Sequence, residues 1–216
     1  ADQLGVDIIE NTEVTGFRID NGRISGVETS SGFIAAKKVG LTCAGNSSRV
    51  AALAGLNLPI ESHVLQAFVS EGIKPFIDGV VTFGAGHFYI SQSDKGGLVF
   101  GGDLDGYNSY AQRGNLPVVE DVIEGGMALM PRIGRVRLLR SWGGIMDMSM
   151  DGSPIIDQTP INGLYINAGW CYGGLCFAHL IAKNEPHEVA RSYRLDRFRT
   201  GHMIDEKGMG NQPNLH

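Results

Sequence analysis

The sequence predicts a mixed α+β fold, with an α/β nucleotide-binding remnant at both ends of the chain and an antiparallel sheet between them. Three observations carry this expectation. An apolar strand pattern, a glycine-containing turn and a helical period follow one another at residues 39–55. A meander of short strand patterns separated by turn residues fills residues 58–146. Short buried strand patterns then return at 155–156 and 164–168. The implied division is 1–57 with 147–190 as one unit, 58–146 as the antiparallel sheet, and 191–216 as an irregular tail.

The elements follow in order. Val6–Ile9 (VDII) reads as a short buried strand, and Glu13–Ile19 as the next. Asp20-Asn21-Gly22 has the positive-φ chemistry of a hairpin turn, which returns the chain through RISGVET. Ser30-Ser31-Gly32 turns into a strand at Phe33–Ala35, and Val39–Cys43 is apolar enough to be covered on both faces. Ala44 to Ser48 and RVAALAGL then predict a Ser/Asn-capped helix stopping at Gly55, whose N-terminus can accept an anionic group. Strands are expected at Ser62–Ser70, Val80–Phe83, His87–Gln92 and Leu98–Gly101, with Ser93 to Gly97 turning the chain between the last two. A helix at Val118–Met130 is weakened by Gly125-Gly126 and ended by Pro131. A strand at Arg135–Met146, a turn at Asp151-Gly152, strands at Ile155-Ile156 and Leu164–Ala168, and a helix at Leu175–Lys183 complete the series.

Composition excludes several functions. With 18 basic against 23 acidic residues the net charge is −5, so no basic stripe exists to neutralise phosphates, and neither nucleic acid nor an anionic membrane is expected as a partner. No apolar run approaches the roughly 20 residues that span a bilayer. The N-terminal ADQLGVDIIE lacks the basic region of a signal peptide, and the expected compartment is cytoplasmic. Cys43, Cys171 and Cys176 lack disulfide-framework spacing and read as reduced thiols. They would still leave zinc short of a fourth ligand, so no metal is expected.

Chemistry concentrates between Arg140 and Gly174. This stretch reads as two buried strands that each deliver glycines and a tryptophan, Trp142 or Trp170, to one place. Bare glycine lets a backbone approach a flat or anionic ligand, and indole supplies ring surface beside it, which suggests a bound cofactor. A G-x-G-x-x-G turn between strand and helix is absent from the sequence. His87 and Tyr89 share a strand face at i, i+2 and either line a substrate cavity or pack in the core. Tyr107 and Tyr110 belong to a loop over a pocket or to ordinary surface. His63 has no acid partner in view, and His179 reads as a core histidine. Met146, Met148 and Met150 alternate on one packed strand face. Arg135, Arg137 and Arg140 form a basic face.

The segments GVDIIENTEVTGFRIDNGRISGVETSSGFIAAKKVG, LPIESHVLQAFVSEGIKP, YISQSDKGGLVFGGDLDGYNSY, SWGGIMDMSMDGSPII and SYRLDRFRTGHMIDE carry a resemblance over nearly the whole chain. The chain resembles the D-amino-acid oxidase superfamily of FAD-dependent oxidoreductases, and within it the family of sarcosine oxidase beta subunits. The resemblance implies that Val14 is an adenine-side contact and that Ala44 and Gly45 form the turn near the pyrophosphate. It places Trp142, Gly143 and Gly144 along the isoalloxazine, with Gly169, Trp170, Gly173 and Gly174 closing over it. Lys95 becomes either a cation near the reduced flavin or a solvated hairpin lysine. The implied reaction is oxidative demethylation of sarcosine to glycine and formaldehyde. Implied partners are alpha, gamma and delta subunits, with FMN, NAD and tetrahydrofolate beside FAD in the full assembly. The alternatives are a relative acting on glycine, dimethylglycine or an opine, or a non-catalytic fragment that binds partners without flavin. A short lysine-containing segment that the family carries between the second glycine pair and the last helix is missing after Gly174.

Overall fold

The computed structural model describes residues 1–83, 88–170, 182–185 and 188–204. They form three sheets. In the first, β1 (Val14–Asp20), β2 (Arg23–Thr29) and β3 (Gly32–Ala35) make an antiparallel meander. Asn21 and Gly22, at φ 51° and 76°, supply the left-handed turn that the sequence predicts. The second sheet sets β4 (Val39–Leu41) parallel to β11 (Leu164–Ala168), with β10 (Ile155–Gln158) antiparallel on the other side of β11. Leu41, Ala51 and Leu164 form a core against which Phe17 of the meander packs.

The third sheet has five antiparallel strands in the order β6-β7-β8-β5-β9. They are β5 (Ile60–Gly72), β6 (Val81–Phe83), β7 (Phe88–Gln92), β8 (Gly97–Asn108) and β9 (Leu138–Ser149). Central β5 is largely buried along its length, so its polar side chains need partners. Ser62 Oγ donates to the Gly45 carbonyl at 2.7 Å, Gln66 Oε1 accepts from Asn115 N–H at 3.1 Å, and Ser70 Oγ accepts from Leu98 N–H at 2.9 Å. One face is covered by α2 (Leu116–Leu129): Val118 and Val122 meet Phe68, Phe88, Ile90 and Phe100. The Phe68 and Phe100 rings lie 5.6 Å apart between centroids. α2 begins two residues before the predicted start because Asn115 Oδ1 caps it at Val118 N–H (2.9 Å) and Pro117 fits its first turn. Gly126 is there for packing: a Cβ would sit 2.7 Å from the Phe88 ring.

Four expectations are corrected. Val6–Ile9 forms no strand, because no neighbouring strand offers it a ladder among the described residues, and Val6, Ile8 and Ile9 are exposed. The helix after β4 is short: α1 spans only Ser47–Ala52 and has no side-chain cap. Its serines point inward instead, Ser47 Oγ donating to Ala44 O and Ser48 Oγ to Ile60 O. β9 is the edge strand of its sheet, and Leu138 to Trp142 are exposed, so its first half is not the buried strand expected. Residues 188–204 are ordered where irregular structure is expected. A 3-10 helix (Glu188–Tyr193) and a helical turn, α3 (Arg197–Thr200), lie on β10 and β11 through Ala190, Leu195 and Phe198. Most of the expected helix at Leu175–Lys183, with Cys171, Cys176 and His179, lies outside the described residues.

The C-terminal segment is fixed by a buried, bidentate ion pair. Arg197 donates from Nε to Asp151 Oδ2 (2.7 Å) and from Nη2 to Asp151 Oδ1 (2.9 Å), and Nη2 also reaches the Ser153 carbonyl at 2.8 Å. Burial alone raises the Asp151 pKa. Hydrogen bonds and charge from Arg197, with backbone N–H groups of Ile204 and Ser153, outweigh it and hold the carboxyl below its ordinary range.

Two outcomes follow for stability. Gly126→Ala lowers it by about 1–3 kcal/mol in urea unfolding, since overpacking against Phe88 exceeds the helix-propensity gain. Asp151 has a depressed folded-state pKa, so its contribution is full above the unfolded value of about 3.9 and is lost as pH falls through the folded one. Asp151→Asn therefore costs on the order of 3–5 kcal/mol at neutral pH, and the difference from the parent chain shrinks when the unfolding curves are repeated in acid.

Candidate functional site

The parallel pair β4 and β11 sends two turns out of the same end of its sheet, the end where open α/β sheets bind ligands. After β4 come Cys43 to Asn46, and after β11 come Gly169 and Trp170. Ala44 is held at φ 45°, a left-handed conformation that strains a residue with a Cβ. Burial pushes the neighbouring Cys43 thiol up in pKa, so it is a neutral thiol and not a nucleophilic thiolate.

β9 crosses both turns. On one face, a Cβ at Gly45 would lie 2.4 Å from Ile145 Cγ2, so this glycine exists for close contact with β9. Two residues on, Asp147 Oδ2 accepts the Gly169 N–H at 2.6 Å. The opposite face of the same strand carries Trp142, Gly144, Met146 and Met148, because side chains alternate. The registers place Tyr89, Gly101, Ala67 and Trp142 in one row across β7, β8, β5 and β9. This is the sheet face opposite the phenylalanine core and α2. It has a floor of small residues, with Tyr89 and half-exposed Trp142 (49%) at its ends. Gly144 has open space where a Cβ would project. Tyr89 Oη lies over Gly101, and burial raises its pKa, which keeps the phenol a neutral hydrogen-bond donor.

Farther along this face a cavity of about 530 Å³ is lined by Ile60, Glu61, His63, Asn108, Met148 and Met150. His63 is 6% exposed. Its Nδ1 lies 2.9 Å from the Asp105 carbonyl and its Nε2 3.4 Å from Glu61 Oε2. The expectation that His63 lacks an acid partner is thus corrected: Glu61, two residues earlier, shares its face. Neither His63 nor the cavity is singled out by sequence reasoning, although the E-x-H spacing on a strand is the signal that could have found them.

The remaining candidates separate. Lys95 is exposed at the β7–β8 hairpin tip, where its carbonyl lies by Gly72, roughly 17 Å along β5 from the Tyr89–Trp142 row at about 3.4 Å per residue. Val14 opens β1 in the meander. Gly143 packs against Val64 and the Arg113–Gly114 backbone. The Trp170 ring packs with Ile156, Tyr165 and Ala190 and donates its N–H to Asn167 Oδ1, so the two indoles serve different surroundings and not one place. Tyr107 is exposed, while Tyr110 stacks under the Arg49 guanidinium. Met146 and Met148 share a half-buried face. Arg135, Arg137 and Arg140 are exposed. His87, Gly173 and Gly174 lie outside the described residues. No group of His, Cys, Asp or Glu placed to hold a metal ion occurs among the described residues, nor does a helix long and apolar enough to cross a membrane.

A family model described as FAD dependent oxidoreductase matches residues 1–184. The chain belongs to this family. It is 71% identical over its whole length to sarcosine oxidase subunit beta of Rhizobium meliloti, covering 54% of that protein. It is 48% identical over 96% of its length to sarcosine oxidase subunit beta of an Arthrobacter species, covering 53%. The chain thus spans about half the length of the curated relatives it matches. Against the Rhizobium protein 224 aligned positions face 216 residues, so at least eight of them have no counterpart here. L-proline dehydrogenase from P. horikoshii superposes on 94% of the chain with a TM-score of 0.82 at 27% identity, and 58% of that enzyme is covered.

The residues fit a family flavin on two observations, the strained turn at the carboxyl end of β4 and the open space over Gly144 beside half-exposed Trp142. Relaxing the first is measurable: Ala44→Gly stabilises the chain by about 1 kcal/mol in denaturant titrations, because glycine adopts φ 45° without the Cβ penalty.

Proposed function

We propose that this chain is the cofactor- and substrate-lining part of an FAD-dependent amine oxidoreductase of the sarcosine oxidase type. The observation that carries the reading is the alternation along β9. One side of the strand meets the two turns at the carboxyl ends of β4 and β11, and the other carries Trp142 and Gly144, with open space over Gly144, on the same sheet face as Tyr89. The 71% identity to a sarcosine oxidase beta subunit supports sarcosine as the amine. In this reading residues 1–57 and 147–190 are the partial FAD-binding unit and 58–146 the substrate sheet. Ala44, Gly45, Gly169 and Trp170 form the turns beside the cofactor, and Val14 lies on its adenine side.

FAD, when bound, supplies the two-electron acceptor for oxidation of the N-methyl group. The chain's own residues bind and orient. Gly144 admits a flat ring against the backbone, Trp142 gives it apolar cover, and the Tyr89 phenol donates to a substrate carboxylate without adding negative charge. Alpha, gamma and delta subunits, and FMN, NAD and tetrahydrofolate, belong to the assembly that this reading implies, and its site of action is the cytoplasm.

A second reading has its own support. The aligned positions of the Rhizobium relative that have no counterpart here favour a chain that folds but does not hold flavin by itself. Incubation of the purified chain with FAD, followed by gel filtration, separates the two. Retained yellow colour that bleaches anaerobically with sarcosine is the expected result, and a protein that stays colourless establishes the non-catalytic reading. In a flavin-loaded preparation, Tyr89→Phe raises the sarcosine dissociation constant by about tenfold or more, the loss of one hydrogen bond to a charged group, in an anaerobic spectral titration.

A further inference from the structure

The segment Glu188–Ile204 touches the Gly169–Trp170 turn from two directions. From one side, Ala190 packs with the Trp170 ring, Ile156 and Tyr165, and Tyr193 joins the same cluster. From the other, Arg197 grips Asp151 and the Ser153 carbonyl. Ser149 Oγ donates to the same Ser153 carbonyl at 2.5 Å and lies 3.2 Å from Asp151 Oδ1. Ser149 is also what stands behind the turn: a Cβ at Gly169 would meet Ser149 Cβ at 3.2 Å and Ser153 O at 3.7 Å. The Ile204 N–H closes the arrangement on Asp151 Oδ2 at 3.1 Å.

We infer that Glu188–Ile204 is a strap, locked by the Arg197–Asp151 pair, that sets the position of the Gly169–Trp170 turn at the carboxyl end of β11. Arg197 is a positioning residue, acting through Asp151, Ser149 and Ser153 on Gly169, while Ala190 and Tyr193 hold the indole of Trp170. The lock is a device separate from the core of the five-stranded sheet, which is built from Phe68, Phe88, Phe100 and α2 and uses none of these residues. Opening the strap therefore frees one turn without unfolding that sheet. The inference concerns the chain's own residues and stands whether or not the cofactor reading holds.

The two tryptophans make it testable, because Trp170 reports on the turn and Trp142 on the sheet. Arg197→Ala is placed in a Trp142→Phe background, leaving Trp170, and separately in a Trp170→Phe background, leaving Trp142. The expected result is emission from Trp170 moved to longer wavelength with a several-fold rise in acrylamide quenching, while Trp142 emission and the far-ultraviolet circular dichroism are unchanged. Unaltered Trp170 emission in the folded Arg197→Ala protein overturns the strap, and so does a parallel change in Trp142, which makes the pair a general stability element. If the single variant does not fold, Asp151→Asn with Arg197→Met removes both charges and leaves no unpaired charge in the interior. In that variant release of Trp170 alone supports the strap, and joint or absent change refutes it.

Discussion

The arrangement depends on the alternation of one strand. Successive side chains of β9 point to opposite faces, so a single backbone serves two masters. Ile145 and Asp147 hold the turns that leave the parallel strands, and Trp142 and Gly144 lie on the sheet face that carries Tyr89. A one-residue slip in the β5–β9 register would exchange these sets. It would turn Asp147 away from Gly169 and drive Ile145 off Gly45. Eleven consecutive or near-consecutive partners, from Ile60↔Ser149 to Ser70↔Leu138, resist that slip. The geometry of the candidate site is thus a consequence of strand register more than of any single side chain.

Buried polarity follows the same logic. Most polar groups drawn into the interior sit at junctions between elements, and each is matched. Ser62 joins β5 to the turn after β4, Gln66 joins it to the start of α2, and Asn115 both caps α2 and donates to Asp105 on β8 at 2.6 Å. Such groups add little net stability, but each is costly to leave unmatched, so they favour one arrangement of the sheets over its neighbours. Ser153 Oγ is the exception among the described residues, buried with no partner beside the Arg197–Asp151 pair.

Much of the fold was legible because the local chemistry was unambiguous. Asp20-Asn21-Gly22 forced a hairpin, Pro131 ended a helix, and short strand patterns separated by turn residues marked an antiparallel sheet. What stayed hidden depended on long-range partners. Val6–Ile9 has every local feature of a strand and lacks a neighbour to pair with among the described residues. Residues 188–204 are ordered because Arg197 meets Asp151, 46 positions earlier, a pairing that no local pattern announces. The site behaved likewise. The resemblance pointed to the glycine and tryptophan segments, but not to Trp170 turning into a separate cluster, nor to Glu61 and His63 bordering a cavity on the Tyr89–Trp142 face.

The exposed edge of β9 has a consequence for the chain as a colloid. Leu139 and Trp142 lie on an edge strand that has no neighbouring strand on its outer side among the described residues, a template on which a second copy could polymerise. Along the stretch from Pro131 to Trp142 the sequence places four arginines, Arg132, Arg135, Arg137 and Arg140, and no acid. Two such edges brought together would oppose like charges. That repulsion is long-ranged in dilute buffer and collapses to a few ångströms in concentrated salt. The solubility of this acidic protein is therefore guarded by a local positive fence, one that electrolyte dismantles.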